Sequence, residues 1–164
     1  MKEPLLLLPG MMCDARVFAP QINALSRTRA VTVAPITQGE RIEEIASGLL
    51  DMLPAKFALA GHSMGGIVAM EVVRQAPDRV TRLALLDTNP LAEQDDVKAR
   101  RGPQMDAVRI GGLRRVMRDE MKPNYLADTP NRTAVLDLCM EMALDLGPHV
   151  FLNQSRALMD RPDQ

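Results

Sequence analysis

The segment Gly61-His62-Ser63-Met64-Gly65 constrains the fold more than any other part of the sequence. One apolar run, residues 57–60, precedes this segment, and a second apolar run, residues 67–70, follows it. Glycines two positions before and two positions after the serine leave space where side chains would collide with a crossing strand and helix. The pattern therefore predicts a buried strand, a sharp turn at Ser63 and a helix that begins immediately afterwards.

A serine at the tip of such a turn has chemical consequences. Its backbone is strained, and its hydroxyl group projects into a cleft. The N-terminus of the following helix brings free N–H groups and a partial positive charge to the same point, where they stabilise a developing oxyanion. The alternative interpretation is a glycine-rich turn in which Ser63 is incidental. The apolar strand before the turn and the apolar helix after it favour Ser63 as a nucleophile.

The composition is that of one globular domain with a substantial core. The chain has 164 residues, of which 46% are hydrophobic, and its formal net charge is -1. A balanced charge and an aromatic content of 2% argue against a nucleic-acid partner, because neither a basic surface nor stacking platforms are available. No apolar run approaches the length needed to cross a membrane, so we expect no membrane partner.

The sequence predicts neither a cofactor nor a metal. Cys13 and Cys139 are too few for a disulfide framework and too isolated for a metal site. The glycine pairs of the chain lack the lysine spacing of a P-loop, so no phosphate-binding loop of that type is expected. The sparse cysteine content predicts a reducing, cytoplasmic location.

The first half of the chain alternates between strand and helix patterns. Short apolar or β-branched runs alternate with longer segments of helical periodicity, which predicts an α/β protein with a parallel sheet and flanking helices. After about residue 90 no convincing strand remains, and the pattern becomes helical, with interruptions predicted at Gly111-Gly112 and at Gly147-Pro148. We therefore divide the chain into a core, residues 1–90, and a helical region, residues 91–164. The predicted strands are residues 4–8, 30–34, 56–60 and 82–87.

Three segments together resemble the N-terminal part of proteins with the α/β-hydrolase fold. They are residues 5–10 with the Met11-Met12-Cys13 loop, the turn Gly61–Gly66, and Asp78-Arg79-Val80 leading into a strand. The resemblance covers residues 4–90 and implies a sheet in which the first strand lies between the second and the third. Residues 91–164 are similar to the helical cap of that superfamily in being helical and in following the same strand.

The resemblance also implies roles for individual residues. Ser63 is the nucleophile, and the backbone N–H groups of Met64 and Met11 are the donors of the oxyanion hole. The implied substrate is a small molecule with an ester or related acyl bond. Family members commonly have a histidine at the position of Pro9. Because the oxyanion donors are backbone groups, this departure leaves the predicted hole intact.

The general base is the difficult part of this interpretation. In the superfamily an acid and then a histidine follow the serine in the chain, and both lie beyond the cap. This chain ends at the cap, so we expect a sequence that lacks both groups. The weak candidates within it are His149, interpreted as a surface or capping residue, and Asp87, interpreted as a polar residue at the junction between strand and cap. Asp87 is expected to form hydrogen bonds with the turn that follows it, at Thr88 and Asn89. His62 is expected to line the pocket or to pack.

Two hypotheses of different class follow. In the first, the complete protein is a serine hydrolase that cleaves a small ester or related acyl substrate through an acyl-Ser63 intermediate. In the second, the chain is a catalytically incomplete fragment or a non-enzymatic remnant that lacks the triad acid and histidine. A further possibility is that a second copy or a partner covers the unpaired apolar edge of the last strand, which otherwise promotes self-association.

Two arginine pairs, Arg100-Arg101 and Arg114-Arg115, also call for an interpretation. A phosphate or acidic substrate would fit such pairs. Aspartates at residues 95, 96, 106 and 119 balance their charge, however, and this favours solvated helix faces.

Overall fold

The computed structural model describes residues 2–164 and contains one four-stranded sheet. All neighbouring strands are parallel, in the order β2-β1-β3-β4. The first strand therefore lies between the second and the third, as predicted. The strands are β1 (Leu5–Leu8), β2 (Val31–Val33), β3 (Phe57–His62) and β4 (Val80–Leu86).

The central strand β1 shows why the sheet has helices on both faces. Leu6 and Leu8 belong to a large apolar cluster on one face, whereas Leu7 belongs to a smaller cluster with Phe18 on the other. Alternate side chains of a strand point to opposite faces, so a strand of four consecutive leucines requires cover on both sides. The covering helices are α1 (Ala19–Leu25), α2 (Ile42–Leu50) and α3 (Met64–Gln75), with a short 3₁₀ turn (Ala15–Phe18) before α1.

Helix α3 is the most deeply buried helix of the core, as its nearly continuous apolar sequence predicts. Val68, Ala69 and Val72 have no exposed surface. The helix also buries one carboxylate, Glu71, which accepts hydrogen bonds from the side chains of Arg74 (2.6 and 2.7 Å) and Gln75. These bonds, foremost those from Arg74, lower the pKa of Glu71, so a charged group is retained inside an otherwise apolar helix.

The second half of the chain is helical, as expected, with boundaries that differ from the sequence pattern. The charged stretch before residue 101 forms the first half of a helix, and the helix ends before Gly111, whose φ of 93° is left-handed. Gly147 (φ 80°) interrupts the last helix as predicted, but the helix resumes at once with Pro148. The helices are α4 (Asp95–Arg109), α5 (Leu113–Val116) and α6 (Arg132–Met159), with short turns Met117–Met121 and Lys122–Asn124 between the last two.

The helical region and the sheet share one apolar core. Val108 and Val116 from the helical region belong to the same buried cluster as Leu8 of β1, and so does Phe151 of α6. The helices of the second half therefore cover the carboxyl ends of the strands by packing into a common core.

No helix in residues 2–164 is both long enough and apolar enough to span a bilayer.

One buried side chain joins the two parts by hydrogen bonds. Gln154 of α6 has no exposed surface, and its Oε1 accepts from the backbone N–H of Met12 at 2.9 Å. Its Nε2 donates to the backbone carbonyl of Ile36 at 3.0 Å. A single amide therefore ties α6 to the loop after β1 and to the loop after β2.

Replacing Gln154 with Ala is predicted to lower the free energy of unfolding by about 2 kcal/mol. The substitution leaves a buried N–H and a buried carbonyl without partners, and each such group costs roughly 1–3 kcal/mol. Urea unfolding followed by circular dichroism measures the change. The control is Gln21→Ala on the exposed face of α1, which is expected to change stability by less than about 0.5 kcal/mol. Equal stabilities of the two variants would contradict the proposed tie.

Strand β4 is one of the two edge strands of the sheet, and its apolar side chains are exposed. Leu83, Leu85 and Leu86 are 42%, 44% and 44% exposed, and within residues 2–164 β4 pairs only with β3. This arrangement matches the uncovered apolar edge expected from the sequence. Self-association through the edge stays a prediction.

The 164-residue chain is expected to self-associate in a concentration-dependent way, because an edge with unpaired backbone groups and apolar side chains pairs readily with a second copy. Leu85→Lys is predicted to shift the chain towards monomer in sedimentation velocity. The matched control is Met52→Lys, which alters an apolar residue that is 71% exposed away from the edge. A monomeric wild-type chain at high concentration would refute the prediction.

Candidate active site

Ser63 lies at a strained turn between β3 and α3, as the glycine pattern predicts. Its φ of 52° and ψ of -120° lie in a region that non-glycine residues rarely adopt. Two contacts from the end of β4 hold this conformation. The Ser63 N–H donates to the Leu86 carbonyl at 2.9 Å, and the Thr88 hydroxyl donates to the Ser63 carbonyl at 2.8 Å. The strain is therefore maintained by neighbouring structure, as is typical of functional positions.

The glycines around the serine are sterically required. A Cβ atom at Gly65 would lie 2.2 Å from the carbonyl oxygen of Leu8, where β1 passes under the start of α3. A Cβ atom at Gly61 would lie 2.3 Å from the carbonyl oxygen of Gly65. Both distances are far below contact distance between backbone atoms, so the predicted reason for these glycines is confirmed.

Ser63 opens into a cavity of about 490 Å³ between the sheet and the helical region. Cavities of several hundred cubic ångströms are typical of small-molecule sites. The cavity brings together four of the predicted site residues, while His149 does not line it. The predicted residues in its wall are Ser63, Met11, Met64 and Asp87.

The loop after β1 passes close to the serine. A Cβ atom at Gly10 would lie 3.3 Å from the Cβ of Ser63, so the backbone just before Met11 runs close to Ser63. The next residue, Met12, has a left-handed φ of 56°, and its N–H is held by Gln154. Within residues 2–164 the backbone N–H groups of Met11 and Met64 donate to no protein acceptor. Two free donors therefore border the same cavity as Ser63.

The two histidines differ in position. His149 lies exposed on α6, with its Nε2 3.4 Å from the side-chain nitrogen of Asn153. His62 lines the cavity, and its Nδ1 is buried without a hydrogen-bond partner. His149 is therefore exposed and outside the lining of the cavity that contains Ser63, and its weak assignment to catalysis stays a prediction.

Asp87 reaches the cavity from the end of β4. It has a left-handed φ of 45°, and its side chain is exposed. We expected it to bond to the turn that follows, but the neighbouring residues form those bonds. Thr88 donates to Ser63, and Asn89 accepts from the backbone N–H of Leu91 at 3.1 Å. Asp87 therefore remains a free carboxylate at the cavity wall within the described residues.

The cavity also contains two buried cysteines, Cys13 and Cys139, which are free thiols. Burial raises the pKa of Cys13 to about 12, and burial also raises the pKa of Cys139. Because the thiolate is the nucleophilic form, both side chains are inert at neutral pH. Among the described residues no group of three or more histidine, cysteine, aspartate or glutamate side chains has the geometry of a metal site.

The helical region contributes charges that sequence reasoning missed. Arg101 was expected on a solvated face, but only 8% of the residue is exposed, and it forms a 2.6 Å ion pair with buried Glu93. Arg161 lies 3.4 Å from the same carboxylate, and both arginines line the cavity. The sequence gives no signal for this cluster, because the two arginines are 60 positions apart and the end of α4, all of α5 and all of α6 lie between them.

Comparison with known proteins agrees with this geometry. Residues 3–152 match the thioesterase domain family. Over 92 residues the chain is 34% identical to a pimeloyl-[acyl-carrier protein] methyl ester esterase of Legionella pneumophila (strain Corby), and the match covers 53% of this chain and 38% of that protein. The chain therefore spans well under half the length of this relative.

Solved structures extend the match to nearly the whole chain. A thermophilic esterase from Thermogutta terrifontis with malate bound superposes with a TM-score of 0.86 and 25% identity, covering 99% of this chain and 65% of that one. The enol-lactonase of Burkholderia xenovorans LB400 superposes with a TM-score of 0.82 and 20% identity, covering 98% and 66%. The chain belongs to the thioesterase domain family, within the α/β-hydrolase superfamily.

Proposed function

We propose that this protein hydrolyses a small carboxylic ester or related acyl bond through an acyl intermediate on Ser63. The observation that carries the proposal is the strained Ser63 turn at the floor of the cavity. The esterase-type relatives support the same reaction class. The named substrate of the Legionella relative, a methyl ester, is one member of the class that we propose.

The free N–H groups of Met11 and Met64 supply the electrostatic part of this mechanism. Attack of the Ser63 oxygen on the ester carbonyl carbon forms a tetrahedral intermediate whose oxygen carries a negative charge. The two N–H groups bind that oxygen, and the helix dipole of α3 adds to the stabilisation. Collapse of the intermediate breaks the bond between the carbonyl carbon and the alkoxy oxygen. The leaving oxygen takes up the proton that the Ser63 hydroxyl gave up, so an alcohol is released and the acyl group stays on Ser63. Water then attacks the acyl-serine and releases the acid.

Removal of the proton from the Ser63 hydroxyl is the step for which the 164-residue chain offers the least support. A serine hydroxyl needs a base to accept its proton in the transition state. His149 does not line the cavity, and His62 is the last residue of β3, directly before Ser63, where adjacent side chains point apart. We therefore infer that this chain alone turns over esters slowly, which keeps the alternative of a catalytically incomplete fragment open to direct test. A cytoplasmic location stays a prediction from the sequence.

Ser63 is predicted to be the single residue modified when the chain is treated with an excess of a fluorophosphonate for several hours. The oxyanion donors favour attack at this position even when the base is absent, so labelling is expected to be slow and specific. Peptide mass spectrometry locates the adduct. Ser63→Ala is expected to abolish labelling, whereas Ser47→Ala, on the exposed face of α2, is expected to leave it unchanged.

Added imidazole is predicted to accelerate hydrolysis of p-nitrophenyl acetate by the wild-type chain. Without a triad base the chain retains only oxyanion and binding effects, roughly 10³–10⁴ over water, and a soluble base supplies the missing proton acceptor. The rate of Ser63→Ala in the same imidazole gives the background. A rate equal to that background, together with absent labelling, would favour the non-enzymatic alternative. Rapid turnover without imidazole would show that a residue of the chain already serves as base.

A further inference from the structure

The cavity wall formed by the helical region contains a buried charge cluster. The side chains of Arg101, Arg161 and Glu93 are 10%, 8% and 6% exposed. Arg101 Nη2 lies 2.6 Å from Glu93 Oε2, and Arg161 Nη2 lies 3.4 Å from Glu93 Oε1. Two guanidinium groups therefore share one carboxylate.

The cluster carries one surplus positive charge. Buried ions are retained only when they are compensated, since an unpaired charge in a low-dielectric site is costly. Burial lowers the pKa of Arg161, Glu93 opposes this change and Arg101 adds to it. This direction agrees with a positive charge on Arg161 that Glu93 compensates only in part. Asp87 also lines the cavity, but it is exposed and forms no ion pair with another described residue.

Arg161 has unused hydrogen-bonding capacity. Its Nη2 contacts Glu93 and the Asn89 Oδ1 at 3.5 Å, whereas its Nε is buried without a partner. Arg101, by contrast, is occupied by Glu93 and by the Met11 sulfur at 3.8 Å. The planar fork of arginine matches the geometry of a carboxylate better than that of any neutral ester group.

We propose that the acyl substrate of Ser63 carries a free carboxylate, remote from the bond that is cleaved, and that Arg161 binds this carboxylate with Arg101 beside it. This inference rests on the proposed function, because it names the substrate of the same cavity. The volume of about 490 Å³ holds both the ester at Ser63 and the anionic end at Arg161. Half-esters of dicarboxylic acids are the simplest compounds of this class.

Binding to the Ser63→Ala variant tests the proposal without turnover. Calorimetric titration compares monomethyl adipate, which has one free carboxylate, with dimethyl adipate, which has none. The half-ester is expected to bind at least about tenfold more tightly, as a charge-assisted hydrogen bond in a buried site provides. The same affinity for both esters would overturn the proposal.

Further substitutions in the Ser63→Ala variant identify the side chain that causes the preference for the half-ester. Arg161→Gln in the Ser63→Ala background is expected to remove the preference, and Arg161→Lys to keep most of it. Glu93→Gln raises the surplus charge and is expected to tighten half-ester binding. The matched control is Arg100→Gln, which alters the neighbouring exposed arginine that pairs with Asp96 and is expected to retain the preference. Thermal melts verify that each variant is folded.

Two outcomes separate the possible failures. An unchanged preference in folded Arg161→Gln, or displacement of the half-ester by inorganic phosphate at lower concentration than by acetate, would overturn the assignment of a carboxylate to Arg161. A preserved preference together with absent Ser63 labelling would instead overturn the proposed function and leave the anion site standing.

Discussion

The close crossing of β1 and α3 is the constraint on which the site depends. The carbonyl oxygen of Leu8 occupies the space that a side chain at Gly65 would need. Because the helix can approach the strand so closely, Ser63 is raised into a left-handed turn at the carboxyl end of the sheet. The loop after β1 then passes within contact distance of the serine. The positions of Ser63 and its neighbouring N–H groups are thus set by backbone packing before any side chain contributes.

Much of the core could be predicted from the sequence because its signals are local. Four apolar runs separated by helical patterns fix the strands, and the glycine spacing around Ser63 fixes the turn. The boundaries of the helical region were less accurate. Gly147 gave a correct interruption, yet α6 continues through it, because Pro148 fits the first turn of a helix that begins again directly.

The rest of the site depends on contacts between distant residues, for which the sequence has no local signal. Gln154 lies 142 positions from Met12, and Arg161 lies 68 positions from Glu93. Arg101 ends a charged stretch of the sequence and follows another arginine, so charge patterning predicted the wrong environment. A polar residue in an amphipathic helix becomes buried only when another element supplies its partner, and that information is tertiary.

The shared apolar core also limits how a ligand can enter the cavity. Phe151 and Val116 have no exposed surface and pack in the same cluster as Leu8. Lifting the helical region as a rigid lid would expose these side chains to water, at a free-energy cost of roughly 25 cal/mol per Å² of apolar surface. The segment between α5 and α6 also contributes Tyr125 and Leu126 to the cavity wall. Unlike α5 and α6, this segment consists of short turns and irregular structure. We therefore expect the helical region to stay packed on the core when a ligand enters the cavity, with any movement of the cavity wall confined to this segment.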